Sequence, residues 1–473
     1  MENIIQQIVQ ELIKTIIKKA MSEKIHDIDA LASDVENDCR AAAGEVIEAV
    51  MEEMNLQIRR DKAGRKEKGW ILKDKERPRS LYTKLGALHF KRDYYYDKGN
   101  ACHMFPLDHF AGVKRYERIG DTISAEMTNH AADVSYAKSA DIVTGGEISR
   151  QTVRDHILKL EMPRISLPES KKKVKELHVY ADEDHVHLQK PGKKRGKRSQ
   201  MVPLVTVTEG TEALKGGRNM TVSPMHFVDE DLDTAELWRE VEGYLAGSYE
   251  MGYLEKVYVH GDGGRWIKNG LEMFAQTEHV MDGYHFGRSL KKLAVKFPKR
   301  NVRETIGNAI MNDDRERAER YLCSLSEGES GEDTDSQKRI EAAADFRGYL
   351  FRNWESIKKL KTLGLPGSCT EAQVSHILSE RFSRDPLGWS KKGLGKLSAV
   401  RIYKANGQKI KADDFKRGED ERYSEYADRV VQENMSSAFD WSIFDGEPFV
   451  FDRASGTQVL IDHMGTDHGV FMS

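Results

Sequence analysis

The sequence predicts a mixed α/β core, with a helical region before it and an all-helical insertion inside it. Three observations carry this reading. Residues 175–297 follow the order β-β-β-α-β-α-β-α. Residues 300–365 keep helical spacing throughout, apart from one acidic, Ser- and Gly-rich break, "SLSEGESGEDTDSQ". Residues 1–57 and 115–162 are also helical by spacing, with a short aromatic and β-branched stretch between them.

A chain of 473 residues is too long for one small core, so several domains are expected. Charged residues make up 32% and hydrophobic ones 39%, the balance of a soluble globular protein. No run of 18 apolar residues occurs, which argues against a membrane span. The opening stretch "MENIIQQIVQELIKTIIKKAM" has an apolar residue every three or four positions, with charges between. It reads as an amphipathic helix and not as a signal peptide. Cys39, Cys102, Cys323 and Cys369 form no CxxC pair. Neither a zinc site nor a disulfide framework is expected, and the expected compartment is a reducing cytoplasm.

In chain order, residues 1–57 form an N-terminal amphipathic helical region. Residues 58–114 form a small basic β unit, interrupted by Pro78 and Gly86. Residues 115–165 hold "VSYAKSADIVTGGEISRQTVRDHILKL": a helix ending near Val143, a turn at Thr144-Gly145-Gly146, and a second helix that Ser149 can cap. This is a helix-turn-helix candidate. Arg150, Gln151 and Arg154 stand at the N-terminal end of its second helix, where base edges are read. A plain αα-hairpin is the alternative.

Residues 172–299 form the first part of the core. "ELHVYADEDHVHLQ", "MVPLVTVTEG" and "NMTVSPMHFVD" are three strands, and "DTAELWREVEGYLAGSY" is a helix capped by Asp233 or Thr234. The strand "EKVYVHGDG", the helix "GRWIKNGLEMFA", the strand "TEHVMDGYHF" and the helix "GRSLKKLAVKF" follow. Residues 300–366 are the insertion. Residues 367–404 close the core with "CTEAQVSHILSERF", a helix with Thr370 as a possible cap. Residues 405–473 are a C-terminal region with no arguable site.

Net charge is only −3, yet charge is unevenly spread. Residues 59–92 are strongly basic, and "KPGKKRGKR" at 190–198 carries six positive charges and no negative ones. Lys193, Lys194, Arg195, Lys197 and Arg198 of that loop are candidate phosphate contacts, with a solvated loop as the alternative.

A three-stranded meander followed by βα repeats is the order of the ribonuclease H-like fold. Active sites in such sheets lie outside the strand C-termini. Three acids can converge there: Asp182 on the first strand, Asp262 after the fourth, and Glu371 on the helix beyond the insertion. Such a set suits two Mg²⁺ ions, which prefer oxygen ligands and together act on a phosphodiester. Each acid has a plainer role open to it. Asp182 competes with Glu183 and Asp184, Asp262 can be a turn and cap between glycines, and Glu371 can be a helix N-terminal acid, with Glu380 as its rival. "MDGYHFGR" adds Asp282 and His285 as supporting residues, or as a cap and a satisfied histidine.

"YADEDHVHLQ", "VHGDGGRWI", "MDGYHFGRSLKKL" and "EAQVSHILSERFSRDPLGWSKKG" together resemble a bacterial insertion-sequence transposase. The likeness is to the family common in low-GC Gram-positive bacteria and related to the Mutator-like DDE group. It covers most of the chain, to about Arg401. It implies a DDE core with Asp182, Asp262 and Glu371 as metal ligands, Asp182 being favoured by the His-Val that follows it. It also implies Mg²⁺ or Mn²⁺ as cofactor, cleavage and strand transfer at terminal inverted repeats and target DNA, and a homo-oligomer on paired ends. The alternatives are another ribonuclease H-like nuclease or resolvase, and a non-catalytic domesticated DNA-binding protein. Trp389 in "GWSKKG" can pack or stack on a flipped base, and packing is the simpler expectation.

Overall fold

The computed structural model describes residues 2–415, apart from 22–26, 190–198, 215–217, 273, 329–332, 366–368 and 385–387. The basic loop with Lys193, Lys194, Arg195, Lys197 and Arg198 therefore lies outside the described residues, as does most of the C-terminal region. The chain divides into two compact units, one running to Ser124 and rejoined at Phe415, the other spanning Ala125–Asp414.

The first unit begins with α1 (Glu2–Ala20), α2 (Ile28–Arg60) and α3 (Lys62–Glu67). Three antiparallel strands follow: β1 (Trp70–Thr83), β2 (Gly86–Asp97) and β3 (Cys102–Met104), then the short α4 (Pro106–Phe110). Pro78 does not break β1. It pairs with Lys91 on an edge strand, where a missing N–H is tolerated. Gly86, at φ 95°, makes the hairpin turn. Ile58 of α2 packs on Trp70, Phe90 and Tyr95.

Part of the basic run at 59–92 is committed to this unit. Arg59 grips Asp93 with two donors, Nε and Nη2, each 2.6 Å from a carboxylate oxygen. Asp93 is fully buried and also accepts the Glu76 N–H at 3.0 Å. Arg92 is buried against Asp108.

The second unit opens with helices. Helix α5 (Asp121–Ala131) leads into it, followed by α6 (Tyr136–Thr144) and α7 (Arg150–Lys159). Gly145 at φ 61° and Gly146 at φ 87° make the turn, and Ser149 Oγ accepts the Thr152 N–H at 3.2 Å. The strands β4 (Glu176–His187), β5 (Ser199–Thr208), β6 (Thr211–Leu214), β7 (Arg218–Thr221) and β8 (Met225–Phe227) come next. After them come α8 (Thr234–Ser248), β9 (Lys256–Gly261), α9 (Arg265–Asn269), β10 (Thr277–Met281) and α10 (Gly283–Lys296).

Five strands form one mixed sheet in the order β10-β9-β4-β5-β8. Strands β4, β9 and β10 run parallel, while β5 is antiparallel to both β4 and β8. The expected third strand at 219–229 is divided. Its first part joins β6 in a separate hairpin, and only β8 enters the sheet. Ser223 at φ 48° and the donor-less Pro224 break the ladder between them. The helix expected after β9 is cut to five residues and a 3₁₀ turn, and Gly270, where the two meet, leaves room for the Trp238 ring.

Four helices follow α10: α11 (Val302–Met311), α12 (Arg315–Glu327), α13 (Thr334–Arg352) and α14 (Trp354–Thr362). They share one apolar core with Phe286 and Leu293 of α10 and Met281 of β10. The chain then runs through α15 (Thr370–Gln373), a π-helical stretch Val374–Ser379, and α16 (Glu380–Phe382). Thr370 is not the cap; Cys369 holds that position without a side-chain bond, and Thr370 is buried inside the first turn. Helix α17 (Lys391–Ala405), capped by Ser390, completes the unit. Among the described residues no helix is long and apolar enough to cross a membrane.

The Arg59–Asp93 pair yields a stability prediction. Burial pushes the Asp93 carboxyl up, but Arg59 and the Glu76 N–H outweigh it and hold it below its ordinary value. Arg59→Met should cost about 3–5 kcal/mol at pH 7 by urea denaturation, because a buried charge loses its partner. A depressed carboxylate stabilises above its unfolded pKa of about 3.9, and that contribution is lost as pH falls through the lower folded value. The gap between wild type and variant should therefore close in acid. A loss under about 1 kcal/mol at pH 7 would contradict the assignment.

Candidate active site

Strand β4 alternates cleanly. Leu177, Val179 and Ala181 pack into the core beneath α8, so His178, Tyr180 and Asp182 face the other way. In the parallel pairing of β4 with β9, Tyr180 lies opposite His260. Two residues further along each strand stand Asp182 and Asp262. Strand β10 pairs Met281 with Gly261, which sets Asp282 beside Asp262. Three aspartates thus stand level in a row, Asp182 midway along β4 and Asp262 and Asp282 just past the ends of β9 and β10.

The row is held by a close approach. A Cβ on Gly261 would meet Ile267 Cγ2 at 2.8 Å and the Ala181 carbonyl oxygen at 3.1 Å. Only glycine leaves room for β9 and the turn after it to lie this near β4.

The three aspartates have different surroundings. Asp182 is 7% exposed; its Oδ1 accepts the Glu183 N–H at 2.9 Å and its Oδ2 lies 3.4 Å from His285 Nε2. Asp262 bends into its own turn, with Oδ1 accepting the Gly264 N–H at 2.7 Å. The cap position of α9 is Gly264, so Asp262 is a turn residue and not a helix cap. Asp282 is 1% exposed and caps α10, accepting the Tyr284 N–H at 2.7 Å and the His285 N–H at 3.1 Å.

Donor atoms of Asp182, His285 and Glu371 all lie within 4.8 Å of one another. Glu371 is the exposed second residue of α15, carried here by the chain that returns from the insertion. Asp262 is outside this set: His285 stands in the tight group, and Asp262 follows the neighbouring strand. Its carboxylate is engaged by the Gly264 N–H of its own turn. The hydrogen bond to Asp182 raises the His285 pKa to about 9 against the pull of burial, and the charges of Asp182, Asp282 and Asp262 add to it.

The rival acids are engaged elsewhere. Asp184 Oδ2 accepts the Ser383 hydroxyl at 2.8 Å. Glu183 accepts Trp266 Nε1 at 2.7 Å, and burial raises its pKa. Glu380 pairs with His376 at 3.1 Å and Arg384 at 3.2 Å. Trp389 is buried edge-on against Phe382 with its Nε1 donating to the Phe382 carbonyl, which is a packing role.

Two residues from the insertion reach this end of the sheet and had no sequence signal. Asn353 Oδ1 lies 2.7 Å from where a Gly263 Cβ would be. Tyr349 places its hydroxyl 3.2 Å from Met281 Sδ. Burial raises the Tyr349 pKa, with the Asp262 and Asp282 charges adding to the effect. Arg150, Gln151 and Arg154 are all exposed on α7, and Arg154 pairs with its neighbour Asp155 at 2.7 Å.

The chain belongs to the uncharacterised protein family UPF0236. The family's profile matches residues 21–419. A UPF0236 protein of Caldanaerobacter subterraneus subsp. tengcongensis is 32% identical over 365 residues, covering 77% of this chain and 74% of its own. Its name carries eleven locus designations from that one strain. A UPF0236 protein of Streptococcus gallolyticus, named for the vanSb 3′ region, is 23% identical over 363 residues, covering 72% of this chain and 75% of its own. Among solved structures, the Drosophila P element transposase strand transfer complex aligns over 68% of this chain and 94% of that one. Its TM-score of 0.22 and identity of 11% are too low for the likeness to bear on fold or function.

The close approach at Gly261 is open to test. Gly261→Ala should destabilise the protein by about 1–3 kcal/mol through overpacking against buried Ile267 and the Ala181 carbonyl, read from urea denaturation. A change below about 0.5 kcal/mol would show that the strands have room to part.

Proposed function

We propose that this UPF0236 protein is a metal-dependent DNA transposase built on a ribonuclease H-like core. The observation that carries the reading is the meeting of Glu371 with Asp182, midway along β4, with Asp262 level with Asp182 just past the end of the next parallel strand. The strand order supports it, since a three-stranded antiparallel meander continued by two parallel strands is the ribonuclease H-like order. The helices α11–α14 fall between the second aspartate and the glutamate, as a helical insertion in such a core does.

The donors suit a hard divalent cation: carboxylates of Asp182, Asp262 and Glu371. When bound, a pair of such ions activates the attacking oxygen and stabilises the leaving oxygen of a phosphodiester. The remaining roles belong to side chains. His285 holds Asp182 in place and carries a proton at Nε2 within reach of its Oδ2. Asp282 fixes the start of α10 and so the position of His285. Trp266 and Glu183 fasten the turn that follows Asp262. The exposed start of α7, with Arg150, Gln151 and Arg154, reads the element's terminal inverted repeats. The basic loop 190–198 grips phosphate, and two or more copies pair the ends. The relative bearing eleven locus designations in one strain supports a mobile element, since repeated insertion multiplies the gene that drives it.

The test is incubation of the protein with Mg²⁺ or Mn²⁺ and DNA carrying the element's own ends. Cleavage at the ends and joining to a second DNA are expected; cleavage without joining favours a resolvase-like nuclease. Asp182→Asn, Asp262→Asn and Glu371→Gln should each fall below about one-hundredth of wild-type cleavage while still binding the ends, and doubles should be no worse than singles. Asp184→Asn and Glu380→Gln should keep most activity. An active Asp262→Asn protein would reduce that residue to its turn.

End recognition has its own readout. Gln151→Ala or Arg154→Ala should cost about 1–3 kcal/mol on the cognate end and less on scrambled DNA. Equal losses on both would make α7 a backbone contact.

A further inference from the structure

Helix α10 starts at the acid site and leads away from it. His285 is in its first turn. Arg288, Lys292 and Lys296 follow at i+3, i+7 and i+11, which keeps them on the side of the helix that carries His285. All three are exposed, and none makes an ion pair with a described residue. They border an open groove of about 850 Å³ between α10 and α13, floored by Leu293 and Phe346. Asp345 is the acid in its lining. Tyr349 closes its inner end, beside Met281 and the aspartate row.

The geometry points to this groove as a second DNA-contact surface, where the backbone of a duplex lies along α10 as it leaves the acid site. From His285 to Lys296 the helix rises about 16 Å at 1.5 Å per residue, with a cation at each turn. Unpaired cations at that spacing fit the regular charge of a phosphate backbone, and the apolar floor lets the sugar edge approach. A polyanion is the occupant that the charge selects: the lining sets a row of cations against one acid. The inference rests on the transposase reading for its direction, because it takes the acid site as the place where the strand is cut.

The experiment measures binding, so it does not depend on cleavage. A groove variant, Arg288→Gln/Lys292→Gln/Lys296→Gln, is compared with a control of equal charge change at cations already paired to acids, Lys173→Gln/Lys175→Gln/Arg239→Gln. Duplex affinity is measured across a salt series without metal, and folding is checked by circular dichroism. The groove variant should flatten the slope of log K against log salt by about 2–3, near 0.9 per lost phosphate contact. The control should match wild type. An unchanged slope in a folded groove variant, or equal flattening in both, overturns the groove. Loss of salt-dependent binding in the groove variant stands even if wild type cuts no DNA, which would count against the catalytic reading alone.

Discussion

The parallel pairing of β4 with β9 is the constraint on which the site depends. Side chains alternate along a strand, so a one-residue slip would turn Asp182 toward the core beneath α8. The register is protected on both faces. Leu177, Val179 and Ala181 are buried on one side, and His178 and Tyr180 on the other. His178 Nδ1 lies 3.0 Å from His260 Nε2, and burial keeps both rings below their ordinary pKa, His260 at about 3. The row of aspartates follows from that register, and Gly261 lets it close up.

Glu371 reaches the row by another route. The insertion shares its core with α10, so the helices between β10 and α15 pack as an extension of the element that carries Asp282 and His285. The chain then returns along α15 and the π-helical stretch. Two buried or half-buried arginines brace this run. Arg381 donates to the carbonyls of Ala131 at 3.2 Å and Val134 at 2.8 Å, just before α6. Arg401 of α17 donates to the carbonyls of His376 and Ala132, each at 2.9 Å. A π-helical turn leaves carbonyls off the regular ladder, and here the Arg401 guanidinium bonds two of them, His376 and Ile377. The end of α5 and the π-helical stretch that continues α15 are therefore tied through Arg401.

Much of this was legible in residue order. The alternation in "ELHVYADEDHVHLQ" and the helical spacing of 300–365 placed β4 and the insertion, and Ser149 capped α7 as its position suggests. Asp182 was preferable to Asp184 only through family resemblance, and Glu371 stood open against Glu380. In the structure Asp184 accepts from Ser383, and Glu380 pairs with His376 and Arg384. What stayed hidden depends on distant contacts. The fit of the Trp238 ring over Gly270, where α9 ends, is one such contact. The commitment of Arg59 to Asp93 cannot be read from a run of basic residues. The turn bond from Gly264 to Asp262 likewise needs the folded backbone.

The central claim is that Asp182, Asp262 and Glu371 hold divalent cations together. Anomalous diffraction from crystals grown with Mn²⁺ tests it most directly. The account predicts manganese peaks bounded by these three carboxylates, with Asp262 contributing an oxygen. Manganese confined to Asp182, His285 and Glu371 with no Asp262 oxygen in contact, or no peak at the strand ends, would contradict it.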